Sequence, residues 1–304
     1  MGLKGVGMNL EPLILPALKA SIFLNVFALG LNARGRDATY LFRNPEKLAR
    51  ALLSMFIVMP LFAAAVAYAF DLRPAVKIAL VALAVAPLPP LLPKKAVRGG
   101  CEPSYTIGLL VAAALFSILF TPVAVDLLSK ALDAPTRMSF LTITRLVVLT
   151  TLAPLGLGMT ARRLAPAAAE KAAKSIAVAA TALLVASVLP ISFIAWPAVE
   201  SLIGNGALLA ITAFVLFGLV AGHILGGHVT EERTAQALAT SSRHPGVAMA
   251  IASAAFPKQA LTPAAVLLYL LVSAILSIPY LEWRKRRQVG DGGAPAYRNL
   301  SRSR

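Results

Sequence analysis

About nine times along its 304 residues this chain runs through roughly twenty apolar residues with few charges among them, the length at which a helix crosses the hydrocarbon layer of a bilayer. The runs lie near 13–31, 48–70, 74–97, 104–128, 138–160, 172–196, 202–222, 231–256 and 261–282. In lipid every backbone N–H and C=O must be satisfied within the structure, which leaves helices and closed barrels as spanning forms. The runs are roughly twice the length of a barrel strand and do not alternate polar with apolar. An all-α membrane protein is therefore expected. The composition, 58% hydrophobic with a mean hydropathy of +0.78, agrees, because a water-facing exterior must be polar.

A formal charge of +16 would point to nucleic acid in a soluble chain. Here the charges cluster in short links between apolar runs, where cationic loops face an anionic leaflet. Membrane lipids are the expected partner and nucleic acid is not. With the N-terminus outside, Arg34, Arg36, Arg43, Lys47, Arg50, Lys94, Lys95, Arg98, Arg162, Arg163, Lys171, Lys174 and Arg233 fall on the cytoplasmic side. Only Lys4, Arg73, Lys77, Lys130, Arg137 and Lys258 fall outside. Positive charge thus predicts a multi-pass protein of the cell (inner) membrane, N-terminus out and C-terminus in. The first run holds Lys19 and Asn25 and exceeds a signal-peptide core, so it reads as retained. The single cysteine, Cys101, excludes an internal disulfide. The basic, Gly-rich stretch 284–304 reads as a disordered cytoplasmic tail.

Two runs are interrupted. The third reads Ala86-Pro87-Leu88-Pro89-Pro90-Leu91-Leu92-Pro93, and the eighth reads Thr240-Ser241-Ser242-Arg243-His244-Pro245-Gly246. Proline removes a helix hydrogen bond and clashes with the preceding turn. Broken helices at membrane depth survive only where they are buried or line a cavity. The two lie five segments apart, so they cross in opposite senses. That is the pattern of an inverted repeat, and paired interruptions point to a transporter's binding site. The expected halves are 1–132, with four helices and the broken segment 74–97, and 133–283, with five helices and the broken segment 231–256. Ordinary proline kinks in unrelated helices are the alternative.

Several pieces in order carry a resemblance. They are Phe27-Ala28-Leu29-Gly30-Leu31, Arg43-Asn44-Pro45, Ala86-Pro87, Arg98-Gly99-Gly100, Thr121-Pro122 and Arg243-His244-Pro245-Gly246-Val247-Ala248. Together the chain resembles the bile acid:sodium symporter family over nearly its whole length, most of all its bacterial members. The resemblance implies a helical carrier with a core of segments two to four and seven to nine, its third and eighth segments crossing at their breaks. Segments one, five and six would form a panel. The family's sodium sites use a glutamate and a glutamine on the second crossing helix and a Ser-Asn pair after the break in the first. Those positions here hold Ala239, Arg243 and, near the first break, Leu92 and Pro93. The resemblance therefore implies a carrier whose sodium coupling is altered.

Arg243 is the sharpest single residue. An arginine at mid-membrane costs roughly 2.5–3.5 kcal/mol even on the lenient insertion scale, so it should face a cavity or a partner. Pro245 suits the first turn of a new half-helix, whose free N–H groups near Gly246 carry the positive end of its dipole. Arg243, those amides and the facing break at Pro87 and Pro90 would make a pocket for a small organic anion. A structural arginine bonded to carbonyls freed at the break is the alternative. His244 can accept a proton near neutrality or be held by nearby backbone. Ser241 and Ser242 line the same pocket or cap the first half-helix. Asn25, on one face with Ser21 and Asn32, and Arg145, on segment five, are further candidates for the anion path.

No run carries paired carboxylates, an H-E-x-x-H helix or a G-x-S-x-G elbow, so an enzyme is not expected. His223 and His228, five apart, do not stack as an i, i+4 metal pair, and neither a metal site nor a cofactor is read. The expected activity is secondary transport of a small organic anion by alternating access, with a proton or sodium as coupling ion. A sodium:organic-acid symporter with relocated ligands is the alternative.

Overall fold

The computed structural model describes residues 11–131, 140–203, 205–256 and 258–290. Their regular structure is helical, as a chain with this hydropathy requires. It divides into two compact units.

The smaller unit comprises residues 11–34 and Val148–Trp196. It contains α1 (Glu11–Asn32) and, numbered in chain order, α9 (Ala153–Leu164) and most of α10 (Pro166–Glu200). α1 and α9 cross at glycine. A Cβ on Gly30 would run into the carbonyl of Leu155, and one on Gly158 into that of Phe27. Leu31 packs on Ala169 and Ala173 beside Phe27, Ala161 and Ile176. Arg162 donates to the carbonyl of Leu31 at 2.8 Å, filling an acceptor left open at the end of α1.

The larger unit comprises Gly35–Val147 and residues 197–290. Its helices are α2 (Gly35–Ala38), α3 (Pro45–Leu53), α4 (Met59–Ala69), α5 (Pro74–Val85), α6 (Leu92–Arg98), α7 (Pro103–Ala131) and α8 (Phe140–Val147). After the chain returns to this unit at Pro197 come α11 (Ala207–Leu225), α12 (Thr230–Ser241), α13 (Pro245–Ala255) and α14 (Thr262–Gly290). Proline opens α3, α5 and α13, where its missing N–H is not needed. A π-turn, Ser54–Val58, joins α3 to α4.

Seven helices are long and apolar enough to cross a membrane: Leu13–Asn32, Pro45–Ala69, Pro103–Leu127, Leu141–Leu164, Pro166–Glu200, Ala207–Leu225 and Thr262–Arg287. This is a multi-pass α-helical membrane protein. The remaining two apolar runs are the interrupted ones, each split into two short helices. Gly218 and Gly222 on α11 and Gly226 at its C-cap form a notch for α12. Cβ atoms there would lie 2.7 Å from the Cα of Ser241, 2.6 Å from that of Ala237 and 2.6 Å from that of Arg233.

Two expectations are corrected. The tail was expected to be disordered from 284, but α14 continues to Gly290. The cause is Arg284, which is 5% exposed and gives its Nε–H to Thr234 Oγ1 at 3.0 Å and its Nη2 to the carbonyl of Thr230 at 3.2 Å. Residues 291–304 lie outside the described residues, as do Lys4 and Arg137. Segment five is also not kept whole with segments one and six. α8 packs on α7 in the larger unit, and only from Val148 does the chain enter the smaller one.

Candidate functional site

The two interruptions meet. α5 ends at Val85, whose carbonyl accepts from Thr121 Oγ1 at 2.9 Å. The chain is extended at Ala86 and becomes helical again at Leu92. α12 ends at Ser241, Ser242 and His244 are extended, and α13 begins at Pro245. The N–H of His244 donates to the carbonyl of Pro87 at 2.8 Å. One backbone hydrogen bond thus ties break to break.

Breaking a helix strands backbone groups that must find partners when buried. Tyr269, on α14, serves the second break. Its hydroxyl donates to the carbonyl of Ser241 at 2.9 Å and accepts the N–H of Arg243 at 2.6 Å. The sequence patterns above pass over this residue, since a tyrosine in an apolar helix carries no such signal.

The Arg243 side chain is 1% exposed. Its Nη2 donates to the carbonyl of Met55 at 2.8 Å. The Nε and Nη1 nitrogens are buried without a hydrogen-bond partner, and none of the ion pairs among the described residues includes Arg243. A buried donor left unmade costs about 1–3 kcal/mol, and more on a charged group. The Met55 carbonyl is open because of the π-turn. The N–H of Met59 goes back five residues to Ser54, which passes over Met55, and the following residue, Pro60, has no N–H to give.

His244 is 5% exposed. Its Nδ1 accepts the N–H of Val247 at 3.4 Å, so it caps α13 from the N-cap position. An accepting Nδ1 places the neutral ring's proton on Nε2, and Nε2 is buried without a partner. Ser241 and Ser242 are buried, with the Ser241 hydroxyl turned back to the carbonyl of Leu238 at 3.2 Å. Pro87 and Pro90 are buried in the opposing break, whereas Gly246 is exposed at the start of α13.

A polar row leads along α12 to this point. Thr240 and Ser54 share a hydrogen bond of 2.9 Å. Gln236 donates to Ser54 at 2.5 Å and accepts from Tyr105 at 3.1 Å. At its start, Glu232 accepts from Lys47 at 2.6 Å and from Tyr40 at 2.7 Å. The spacing of four along 232, 236 and 240 was available in the sequence, but no feature there showed which partners would face it.

Two further candidates are Asn25 and Arg145. Asn25, in the smaller unit, donates to the carbonyl of Ser21 at 2.9 Å and accepts from Thr181 at 3.2 Å, a bond between helices. Arg145 is exposed on α8. α8 packs on α7. Among the described residues no group of three His, Cys, Asp or Glu could hold a metal ion. At the positions aligned above with the family's sodium ligands, Ala239 and Leu92 are buried apolar side chains.

Among curated proteins none matches the chain. A family model does, that of the sodium bile acid symporters, over residues 20–196. The match takes in the first broken segment and the smaller unit from residue 20 onward, and on it the chain belongs to the sodium bile acid symporter family.

Proposed function

We propose that this protein is a secondary carrier for a small organic anion, with Arg243 as the fixed positive charge that binds it. The observation that carries this reading is a guanidinium buried where two helix breaks meet, with no carboxylate among the described residues paired to it and two nitrogens open. An anion would supply the missing acceptors and the missing charge together. The start of α13, with Gly246 exposed beside it, adds the positive end of a half-helix. Membership in a family of transporters supports carriage rather than catalysis.

The two broken segments complete nine crossings with the seven long helices. They correspond as members of an inverted repeat, 1–132 and 133–283. Alternating access exposes the crossing point of the two broken segments to each side of the membrane in turn. The N-terminus lies outside and the C-terminus in the cytoplasm.

Sodium coupling through the family's positions is lost. Ala239 and Leu92 offer no side-chain oxygen, and a guanidinium at 243 repels a cation. A proton gradient or anion exchange drives uptake in this reading. A sodium-coupled alternative has one observation in its favour, the cluster of neutral oxygens on Ser54, Thr240 and Gln236 one turn before the break.

The test is uptake of labelled monocarboxylates into proteoliposomes under imposed sodium or proton gradients. Arg243→Gln should weaken anion affinity roughly ten- to a hundredfold, the worth of a hydrogen bond to a charged group. Sodium-driven uptake that survives intact in Arg243→Ala sinks the proposal and favours the alternative.

A further inference from the structure

We infer that Pro60 is a positioning residue for the anion site, acting on Arg243 through the carbonyl of Met55. The inference rests on the reading of Arg243 as the anion-binding charge.

The Met55 carbonyl is the sole hydrogen-bond acceptor found for the Arg243 guanidinium among the described residues. Whatever holds that carbonyl free therefore sets where the guanidinium sits. In an uninterrupted α-helix the carbonyl would take the N–H of Met59. Here that N–H goes to Ser54. In a π-helix it would take the N–H of residue 60, and residue 60 is proline. Neither register supplies a donor, and Arg243 of another segment fills the vacancy at 2.8 Å. The same turn presents Ser54 to Gln236 and Thr240 on α12, so one irregularity serves two neighbouring points of the broken segment. π-Bulges recur at functional sites, where their cost to the helix is retained for a purpose.

A residue other than proline at 60 restores the missing donor. The new N–H competes with Arg243 for the Met55 carbonyl in π register, or takes the Phe56 carbonyl and lets the turn relax to α, where Met59 claims Met55. The helix gains a bond, and the guanidinium loses its anchor. Positioning and stability therefore move in opposite directions, which separates this role from an ordinary structural one.

The experiment measures monocarboxylate uptake kinetics and the detergent-solubilised Tm for Pro60→Ala and Pro60→Val in the full chain. The expected result is a KM raised about tenfold, the worth of one hydrogen bond to a charged group. Vmax should stay within about twofold and Tm should be unchanged or higher, because a proline inside a helix removes a hydrogen bond and crowds the preceding turn. In an Arg243→Gln background the same substitutions should add nothing to KM. An unchanged KM, a fall in Tm, loss of folded protein in both variants, or effects that add to Arg243→Gln would each overturn the inference. An Arg243→Gln protein with wild-type KM would instead overturn the anion reading beneath it.

Discussion

The amide of His244 and the carbonyl of Pro87, 157 residues apart in sequence, are joined by a hydrogen bond of 2.8 Å. Both belong to chain that has left helical geometry, so neither has a partner within its own segment. A buried carbonyl left without a donor costs about 1–3 kcal/mol. The backbone at 244 has φ −74 and ψ 107, which proline adopts readily. His244→Pro thus removes the donor without changing φ at 244 and sets its ring against the Pro87 carbonyl, while His244→Ala keeps the donor and removes the ring. We expect His244→Pro to be less stable than His244→Ala by about 1–3 kcal/mol, read by thermal unfolding in detergent. Equal stabilities would show that this contact does not hold the breaks together.

The notch on α11 predicts a sharp contrast between glycines. A Cβ at 222 would stand 2.6 Å from the Cα of Ala237, whereas one at 35 would meet nothing within 4 Å. Gly222→Ala must push α12 away and should destabilise by about 1–3 kcal/mol, the usual range for overpacking. Gly35→Ala should be neutral. Size-exclusion profiles and Tm after purification in parallel decide it, and equal behaviour of the two would count against close α11–α12 packing.

Lys47 and Glu232 form an ion pair whose side chains are 32% and 9% exposed. Removing one partner of a buried pair costs 3–5 kcal/mol, but water reaches the ammonium here and screens the interaction. Glu232→Gln should therefore cost only about 1–2 kcal/mol. The double variant Lys47→Met with Glu232→Gln should cost less than the two singles summed. Strict additivity in Tm-derived stabilities would mean the pair contributes no coupling.

Cys101 lies between α6 and α7 with no exposed surface, and burial pushes its thiol up to about 12. Only the thiolate attacks maleimide, so raising the pKa removes reactive species throughout the range from pH 7 to 9. The folded protein should resist maleimide there and label fully once unfolded in SDS. Rapid stoichiometric labelling of the native protein would contradict the burial. If the prediction holds, single cysteines can be introduced elsewhere to follow access without removing Cys101.

Features that depend on local covalent chemistry were legible in the sequence. Long apolar runs became long helices, and the interruptions fall where Pro87–Pro90 and Ser242–Pro245 stand, because proline acts on its own turn. Arg243 was conspicuous because charge is rare at that depth. Partners contributed by distant segments were not legible. Tyr269 satisfying a break, the Met55 carbonyl and the residues around Glu232 depend on which faces meet. No periodicity within one helix records that. The tail was misread for the same reason: Arg284 looked like the start of a solvated basic stretch, and its burial against Thr230 and Thr234 comes from another helix. Asn25 shows the limit from the other side, a polar residue in an apolar run that bonds to a neighbouring helix at Thr181.

α14 touches α12 at both extremities, through Tyr269 at Ser241 and through Arg284 at Thr230 and Thr234. Fifteen residues separate those two anchors on α14, about 22 Å of helix against the roughly 18 Å length of α12. The short helix is therefore splinted along its whole extent. It cannot pivot about the crossing point by itself, and any swing of the segment bearing Arg243 has to carry the C-terminal helix with it as a single lever.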